Sequence, residues 1–298
     1  MRGLRKLNQS IHLPHQFKSH GHVGVNDLEH CYIDVAGLKT FYVGGGSGPP
    51  IIFLHGGSPG ACSLVNWKLN LGPFVAAGFR VYAYDQPGFG LSGIPSDHSM
   101  EFRVTHAKAF LAAIAPDRVH IVGNSMGAYI AARLALDHAN VDRLALISSS
   151  TLAPKGSAKA TALAQAHVDE LRGYEPGLEA MRAMTRKTLF RQDLVTDELV
   201  RERYEMSKGP LFDASKAREA ARGFRSLDGE LHRLGNPTML LWGANDHGAS
   251  VERAVLLLEA LSSAELHVFN NCAHWVHWDQ ADRFNRLVTD FLRGPAPA

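Results

Sequence analysis

Three residues that lie far apart in the chain have the types needed for nucleophilic catalysis: Ser125, Asp246 and His274. Ser125 is the centre of residues 123–127, which read Gly-Asn-Ser-Met-Gly. A serine hydroxyl is a poor nucleophile at neutral pH, so it needs a base within hydrogen-bonding distance that an acid in turn orients. We therefore predict a triad with Ser125 as nucleophile, His274 as base and Asp246 as acid.

Ser125 stands between a segment typical of a strand and a segment typical of a helix. Residues 118–122 alternate in the manner of a strand, whereas residues 128–136 are rich in Ala and Leu. A sharp strand–turn–helix connection strains the serine backbone, lifts its hydroxyl clear of the sheet and leaves no room for a Cβ two positions to either side. The pattern predicts a nucleophile elbow at Ser125.

Two backbone N–H groups are candidates for an oxyanion hole beside this elbow. The N–H of Met126 opens the predicted helix and would point at the space where an oxyanion forms. Gly57 lies in the Gly/Pro-rich loop that follows the apolar run 51–54, where a residue without Cβ lets the backbone approach a ligand closely. We predict that Met126 and Gly57 supply the two donors.

Asp246 and His274 each follow a predicted strand, and loops at the carboxyl ends of parallel strands share one crevice. Asp246 is preferred as the acid because the loop 148–151, after the preceding strand, holds only Ser and Thr. His277 is the rival for the base, but we expect it on the first turn of the final helix. Asp85 is expected to organise its turn and not to take part in chemistry.

The remaining pattern predicts an α/β fold with an eight-stranded, mostly parallel sheet and helices on both faces. Most of the later strands are separated by helical segments, and the first two form a predicted hairpin. The predicted strands are residues 31–35, 38–43, 51–54, 79–84, 118–122, 143–147, 237–242 and 265–269.

Residues 153–234 contain no clear strand and consist of successive amphipathic helical segments. This change of pattern predicts a helical lid inserted after strand six. We accordingly divide the chain into an N-terminal extension (1–29), a core (30–152 and 235–298) and the lid (153–234).

Composition narrows the classes of partner. Hydrophobic residues make up 45% of the 298 residues and charged residues 20%, which is usual for a globular protein. The net charge of +2 gives no reason to expect nucleic acid or a membrane as partner. The basic N-terminus precedes a polar stretch without an apolar signal region, and no apolar run reaches the roughly 18 residues of a membrane span. We expect a small-molecule substrate.

The cysteines and the N-terminal histidines predict neither disulfides nor a metal site. Cys31, Cys62 and Cys272 are odd in number and far apart, which favours a reducing, cytoplasmic location. The extension contains four irregularly spaced histidines without accompanying Cys or carboxylate clusters: His12, His15, His20 and His22. We expect no metal and no organic cofactor.

The chain order Ser, Asp, His resembles that of the α/β-hydrolase fold, and the likeness covers nearly the whole chain. Within that superfamily the chain is most similar to the meta-cleavage product hydrolases, which hydrolyse a C–C bond of 2-hydroxy-6-oxo-dienoates in bacterial degradation of aromatic compounds. The residues that carry the resemblance are 55–61 (HGGSPGA), Asn66, 72–74 (GPF), 123–127 (GNSMG), 195–199 (VTDEL) leading to Arg203, and 274–278 (HWVHW).

The resemblance implies further roles for individual residues. Arg203 would bind the substrate carboxylate from the lid through charge-assisted hydrogen bonds. The residues implied in holding the dienol(ate) and its carboxylate are Asn66, Asn124, Arg203 and Trp275. Ser58, where the family usually has glycine, and Phe190, at the apolar end of the pocket, are further candidates for substrate binding.

The resemblance also implies a reaction course and an oligomeric state. The substrate would first ketonise, its ketone would be attacked, and a carbanion-like dienolate would leave while the Gly57 and Met126 N–H groups stabilise the oxyanion. Attack by Ser125 itself and attack by water that Ser125 activates both stay open. A homodimer is expected from the resemblance alone.

Two other classes of function compete with C–C hydrolysis. A carboxylesterase or lactonase could use the same triad and would need no cationic lid residue. A ligand-binding protein without turnover is disfavoured because a binding role does not require Ser125, Asp246 and His274 together. A halide-forming reaction is disfavoured because Ser125 stands where an aspartate nucleophile would be needed.

Overall fold

The structure is a computed structural model that describes residues 28–114, 117–137, 140–221 and 223–294. The predicted N-terminal extension, with its four histidines, lies outside the described residues up to residue 27.

The eight predicted strands form one sheet with the order β1-β2-β4-β3-β5-β6-β7-β8. The first two strands pair as an antiparallel hairpin and β2 pairs antiparallel with β4, whereas all later neighbours are parallel. The predicted mostly parallel sheet is therefore confirmed. The strands are β1 (Glu29–Val35), β2 (Leu38–Gly45), β3 (Pro50–Leu54), β4 (Arg80–Tyr84), β5 (Val119–Asn124), β6 (Val141–Ile147), β7 (Thr238–Gly243) and β8 (Ala264–Phe269).

Helices cover both faces of this sheet, as the alternation of strand and helix patterns predicted. Along the described chain they are α1 (Ser63–Asn66), α2 (Leu71–Ala76), α3 (Met100–Ile114), α4 (Met126–Asp137), α5 (Ala158–Arg172), α6 (Leu178–Thr188), α7 (Asp197–Glu205), α8 (Pro210–Ala220), α9 (Val251–Ala260), α10 (Val276–Asp279) and α11 (Ala281–Arg293).

Two hydrophobic cores flank the sheet because consecutive strand residues point to opposite faces. In β3, Ile52 packs into the core shared with α3, α4 and α9, while Ile51 packs into the core shared with α1, α2, α10 and α11. The central strand β5 is buried along its whole length, as expected of a parallel strand that helices cover on both faces. The carboxyl ends of the parallel strands thus open onto one edge between two rigid layers.

Four helices, α5 to α8, lie between β6 and β7, in the segment predicted to form the lid. Ser157 and Thr196 cap α5 and α7 by accepting hydrogen bonds from backbone N–H groups three residues on, and Pro210 opens α8. A small core of Tyr174, Met181, Met184 and Val200 holds these helices together. None of the helices in the described ranges is long and apolar enough to cross a membrane.

Candidate active site

Ser125 occupies a strained backbone position at the end of β5. Its φ is +54°, in the left-handed region that non-glycine residues rarely adopt. Hydrogen bonds hold it there: the Ser125 N–H donates to the Ile147 carbonyl at 2.8 Å, and Ser149 Oγ donates to the Ser125 carbonyl at 2.7 Å. The hydroxyl therefore projects from a position that the neighbouring strand fixes.

The glycines on either side of Ser125 are required by close backbone packing. A Cβ on Gly123 would lie 2.6 Å from the Gly127 carbonyl oxygen, and a Cβ on Gly127 would lie 2.1 Å from the Leu54 carbonyl oxygen. Both distances are far shorter than any Cβ contact that a fold tolerates. The tight approach of β3, β5 and α4 explains the Gly-x-Ser-x-Gly spacing.

The loop after β3 lies directly against the elbow. A Cβ on Gly57 would be 3.1 Å from Met126 Sδ, and a Cβ on Gly56 would be 3.4 Å from Ser125 Cβ. The two predicted oxyanion donors, Gly57 and Met126, are thus brought together beside Ser125, and both residues line the same cavity.

A buried histidine, His55, anchors that loop. Its Nδ1 is 2.7 Å from the Gly56 carbonyl oxygen and its Nε2 is 3.1 Å from the Gln86 backbone nitrogen, so Nδ1–H donates and Nε2 accepts. Burial is the main cause that lowers the pKa of His55 to about 4, so the ring is neutral at physiological pH. No role is predicted for His55 from the sequence, although its position directly before Gly56 and Gly57 marks it.

Asp246 and His274 form a hydrogen-bonded pair. His274 Nδ1 lies 2.8 Å from Asp246 Oδ2, while Asp246 Oδ1 accepts the backbone N–H groups of Gly248 and Ala249 at 2.8 and 2.9 Å. Burial alone would raise the pKa of Asp246, but His274 and the two backbone donors outweigh burial and lower that pKa below its ordinary value. The carboxylate is therefore ionised and can orient an imidazole.

Ser125 and His274 line one cavity, but no hydrogen bond joins the Ser125 hydroxyl to the imidazole among the described residues. Such a contact is often loose without substrate and tightens in the complex. Asp246 is thus hydrogen-bonded to His274, and Ser125 lines the same cavity as this pair.

The two rivals from the sequence are occupied elsewhere. His277 lies on α10, is fully buried, and packs its ring 4.6 Å from that of Trp67; burial lowers its pKa to about 3. Asp85 accepts hydrogen bonds from the backbone and hydroxyl of Ser63 and from the Leu91 N–H, all at 2.7 Å. Neither His277 nor Asp85 lines the cavity.

The cavity above the elbow has a volume of about 770 Å³. Its floor comes from the loops after β3, β5, β7 and β8, and its roof comes from the helices between β6 and β7. This size suits a small organic molecule. Over the described residues, no group of three or more His, Cys, Asp or Glu is arranged to hold a metal ion.

The predicted substrate-binding residues divide into two groups. Ser58, Asn124 and Trp275 form part of the cavity wall. Asn66 and Arg203 are fully buried just outside the lining set. The Asn124 Oδ1 and Asn66 Nδ2 atoms are buried and have no hydrogen-bond partner among the described residues.

Arg203 stands immediately behind the wall. Its guanidinium carbon is 4.8 Å from the centre of the Trp275 ring, Nη2 is 3.4 Å from Ser58 Oγ, and Nη1 donates to Thr185 Oγ1 at 3.0 Å. Burial is the main cause that lowers its pKa to about 10, so it remains charged at neutral pH. Arg203 contacts two wall residues and has no carboxylate partner in the part of the chain that the structure describes, so it is suited to receive an anion.

The placement predicted for Phe190 is wrong. Its side chain is 41% exposed and does not line the cavity. The backbone explains this orientation, because the Phe190 and Arg191 N–H groups donate to the Asp279 carboxylate at 3.0 and 2.9 Å and fix the turn after α6. Met184 and Thr188, on the preceding helix, line the cavity instead.

Four arginines also line this cavity but were not singled out from the sequence: Arg103, Arg172, Arg218 and Arg253. Arg253 donates to the carbonyls of Ser150, Ala153 and Pro154 and so holds the loop that leads from β6 into the inserted helices. No sequence signal marks these arginines, because each lies in a helical segment without a recognisable motif around it.

Comparison with known proteins gives consistent results. The model of the alpha/beta hydrolase fold family matches residues 49–281. A 2-hydroxy-6-oxononadienedioate/2-hydroxy-6-oxononatrienedioate hydrolase of Comamonas testosteroni is 33% identical over 275 residues, covering 87% of this chain and 94% of that protein. A 2-hydroxy-6-oxo-6-phenylhexa-2,4-dienoate hydrolase of the same organism is 33% identical over 271 residues, covering 87% and 93%.

A solved structure, the meta-cleavage product hydrolase from Pseudomonas fluorescens IP01, superposes with a TM-score of 0.78 at 32% identity, covering 88% of this chain and 96% of that one. The chain therefore belongs to the α/β-hydrolase family, as a relative of its meta-cleavage product hydrolases.

Proposed function

We propose that this protein hydrolyses a C–C bond in a meta-cleavage product of the 2-hydroxy-6-oxo-hexa-2,4-dienoate type. The observation that carries the proposal is the buried Arg203 guanidinium, which lies against Ser58 and Trp275 on the wall of the cavity that contains Ser125. A simple ester substrate has no use for such a cation, whereas a dienoate has a carboxylate to pair with it. The named activities of the relatives support the same choice.

In this proposal the substrate carboxylate takes the place of the long Arg203–Ser58 contact of 3.4 Å. The unpartnered Asn66 Nδ2 and Asn124 Oδ1 atoms then bind the 2-oxygen region of the dienol, and Trp275 packs against the conjugated chain. Pairing with Arg203 at one end holds the C6 ketone above Ser125.

The reaction proceeds in two stages. Ketonisation moves a proton onto C5 and makes the C5–C6 bond cleavable. Oxygen from Ser125, or from water that it activates, then adds to the C6 carbonyl while the Gly57 and Met126 N–H groups stabilise the oxyanion. When the C5–C6 bond breaks, its electron pair is delocalised as a dienolate that is protonated, and C6 leaves as a carboxylic acid after one water molecule has been consumed.

His274 accepts the proton of the attacking oxygen, and Asp246 keeps the imidazole in the tautomer that can do so. The 2.8 Å bond between Asp246 Oδ2 and His274 Nδ1 places the proton on Nδ1 and leaves Nε2 free to act as the base. The same pair can move a proton during ketonisation.

The first test mixes purified protein with a 6-phenyl or 6-alkyl 2-hydroxy-6-oxo-hexa-2,4-dienoate and follows the loss of its visible absorbance. We expect rapid loss that Ser125→Ala abolishes. Turnover of p-nitrophenyl esters or lactones, with no dienoate turnover, would instead select the carboxylesterase or lactonase class and refute the proposal.

A second test isolates the carboxylate contact. Arg203→Gln is expected to lower kcat/KM for the dienoate by about 10- to 150-fold, the equivalent of charged hydrogen bonds of about 1.5–3 kcal/mol, and to change p-nitrophenyl acetate hydrolysis far less. Arg201→Gln, an exposed change of the same type on the same helix, serves as the control. Equal loss on both substrates would mean that Arg203 supports the fold and does not bind the carboxylate.

The proposal extends to a cytoplasmic homodimer. Within the described residues, none of the three cysteines forms a disulfide, which is consistent with a reducing compartment. Light scattering during size-exclusion chromatography should give twice the chain mass of 32.5 kDa, and a single-chain mass would contradict the dimer.

A further inference from the structure

A single buried carboxylate joins the loop of the proposed base to the inserted helices. It belongs to Asp279, the last residue of α10, which is 2% exposed. Its Oδ2 accepts the N–H groups of Ala273 and Phe190 at 2.8 and 3.0 Å, and its Oδ1 accepts the N–H of Arg191 at 2.9 Å. Ala273 directly precedes His274, whereas Phe190 and Arg191 form the turn after α6. Asp279 therefore ties the end of α6 to the segment that carries His274.

A second hydrogen bond connects the same two parts of the chain. The N–H of Trp275, directly after His274, donates to the carbonyl of Thr188, the last residue of α6, at 3.2 Å. The loop of the proposed acid holds the other side, because the Asn245 N–H donates to the Cys272 carbonyl at 2.9 Å. The backbone around His274 is thus held between the loop after β7 and the end of α6.

The last turn of α6 also holds Arg203, the proposed anchor for the substrate carboxylate. Arg203 Nη1 donates to Thr185 Oγ1 at 3.0 Å, and that hydroxyl donates to the Met181 carbonyl at 2.7 Å, so its orientation is fixed. Thr185 and Thr188 are three residues apart and are therefore neighbours on the helix surface. A shift of this short stretch of α6 would displace both the anion-binding residue and the loop of the base.

Asp279 is buried without an ion-pair partner in the part of the chain that the structure describes. Burying an acidic group costs free energy unless hydrogen bonds compensate for the lost hydration. An amide or a hydroxyl could not replace it, because neither offers two acceptor oxygens to three N–H donors. Asp279 does not line the cavity, so it would affect catalysis only through the groups that it holds.

We propose that Asp279 is a positioning residue that fixes the end of α6 to the loop of His274, so that the base and Arg203 keep their places beside Ser125. The inference rests on the proposed roles of His274 and Arg203 in C–C hydrolysis and adds a residue that acts through both. Without this link, His274 would lose one of its two supports, and the partner of Arg203 on α6, Thr185, would no longer be fixed. Hydrolysis would then slow although the triad is complete.

The first test removes one N–H donor and leaves Asp279 unchanged. Arg191→Pro deletes the backbone N–H that donates to Oδ1, and the φ of Arg191, −73°, already suits proline. Arg191→Ala is the matched control, because it loses the same exposed side chain and its pair with Asp193 but keeps the N–H. Arg191→Pro is expected to lower kcat for a 6-phenyl or 6-alkyl dienoate by about 3- to 10-fold. Arg191→Ala should stay within about 2-fold of the wild-type kcat, because an exposed ion pair contributes little.

Two changes at Asp279 itself grade the effect. In Asp279→Asn the amide oxygen is expected to keep the Ala273 and Phe190 donors and to leave only the Arg191 N–H without an acceptor, so kcat should fall by about 3- to 10-fold. Asp279→Ala releases all three donors, and kcat should fall by about 10- to 100-fold. All rates are measured well below the Tm of each variant, with folding checked by circular dichroism.

Two substrates separate positioning from a purely structural role. p-Nitrophenyl acetate needs the base but has no carboxylate for Arg203, so Asp279→Asn should lower its kcat/KM only through the shift of His274. For the dienoate, KM should rise as well, by about 2- to 5-fold, because Arg203 shifts with α6. A purely structural role would lower the Tm and leave kcat and KM of the folded enzyme unchanged for both substrates.

Unchanged kcat and KM in Arg191→Pro and Asp279→Asn, with only a lower Tm, would overturn the inference. Equal loss in Arg191→Pro and Arg191→Ala would also overturn it, because the side chain and not the N–H would then be responsible. Wild-type activity on the ester alone would refute C–C hydrolysis, while kcat/KM for the ester would still test the positioning of His274. A wild-type enzyme inactive on both substrates would refute the role of His274 and this inference with it. The comparison of Arg191→Pro with Arg191→Ala is decisive even if Asp279→Ala does not fold.

Discussion

Replacing Asp246 by asparagine tests how the acid controls the base. Asparagine has one acceptor oxygen, whereas Asp246 accepts three hydrogen bonds: two backbone N–H groups at Oδ1 and His274 Nδ1 at Oδ2. Turning the amide oxygen toward His274 would point the NH2 group at the Gly248 and Ala249 donors and lose two buried hydrogen bonds, each worth about 1–3 kcal/mol. The amide oxygen is therefore expected to keep the backbone donors.

In that orientation the NH2 group of the introduced amide donates to His274 Nδ1, so the imidazole proton must move to Nε2. The nitrogen that should accept the serine proton is then protonated, and the base is disabled although the geometry is intact. We expect kcat to fall by about 10³- to 10⁴-fold, equivalent to about 4–5.5 kcal/mol. Stopped-flow absorbance with a dienoate measures the rate, and ¹⁵N NMR of the imidazole reports its tautomer.

Asp85→Asn provides the matched control, because Asp85 is another buried carboxylate that accepts three hydrogen bonds. It should lower the free energy of unfolding by about 1–3 kcal/mol through one lost acceptor, with kcat changed only a few-fold. If Asp246→Asn retained kcat within 10-fold, or if Asp85→Asn were equally inactive while folded, the tautomer argument would be refuted.

Two other changes probe the fold beneath the site. Gly127→Ala places a Cβ 2.1 Å from the Leu54 carbonyl oxygen, so it should lower the free energy of unfolding by more than about 3 kcal/mol and lower the Tm. The control is Gly229→Ala, whose Cβ meets nothing within 4 Å and which should leave the Tm within a few degrees of the wild-type value. Equal Tm values for the two variants would contradict the close packing at Gly127. Glu202 is buried beside Lys68 at 3.0 Å, and burial raises its pKa from 4.5 to about 7. Because the raised pKa favours the protonated carboxyl in the folded state, the free energy of unfolding of the wild-type protein should fall as pH rises from about 4.5 to about 7. Urea unfolding of Glu202→Gln should show a smaller change in the free energy of unfolding over the same pH range. Parallel curves of this free energy against pH for the two proteins would refute the prediction.

The sheet could be predicted from the sequence because the pattern of apolar residues in a strand reflects whether one or both of its faces are covered. β5 and β7 are rich in apolar residues because both of their faces are covered, and the hairpin of β1 and β2 follows from its turn. The loops carrying Asp246 and His274 could be located because parallel strands place their carboxyl ends at one edge. These predictions needed only local pattern and topology.

The error at Phe190 and most of the omissions concern side chains on or beside helices, where local pattern does not fix orientation. Phe190 is apolar, but hydrogen bonds from its turn to Asp279 direct it to solvent. Arg103 looks like an ordinary helix cation in the sequence, but in the fold it is only 3% exposed. Side-chain direction in such segments depends on tertiary contacts between distant residues, which periodicity does not encode.

The buried Arg203 explains how one elbow can serve a particular substrate class. Ser125, His274 and the oxyanion donors act on any carbonyl placed above them, so they do not distinguish an ester from a ketone. Arg203 gives up solvation and has no carboxylate partner among the described residues, which costs stability. Groups that destabilise the empty fold are expected where a ligand offsets their cost. The position of Arg203 behind the wall of the cavity that contains Ser125 therefore favours a ligand that carries an anionic group as well as the reacting carbonyl.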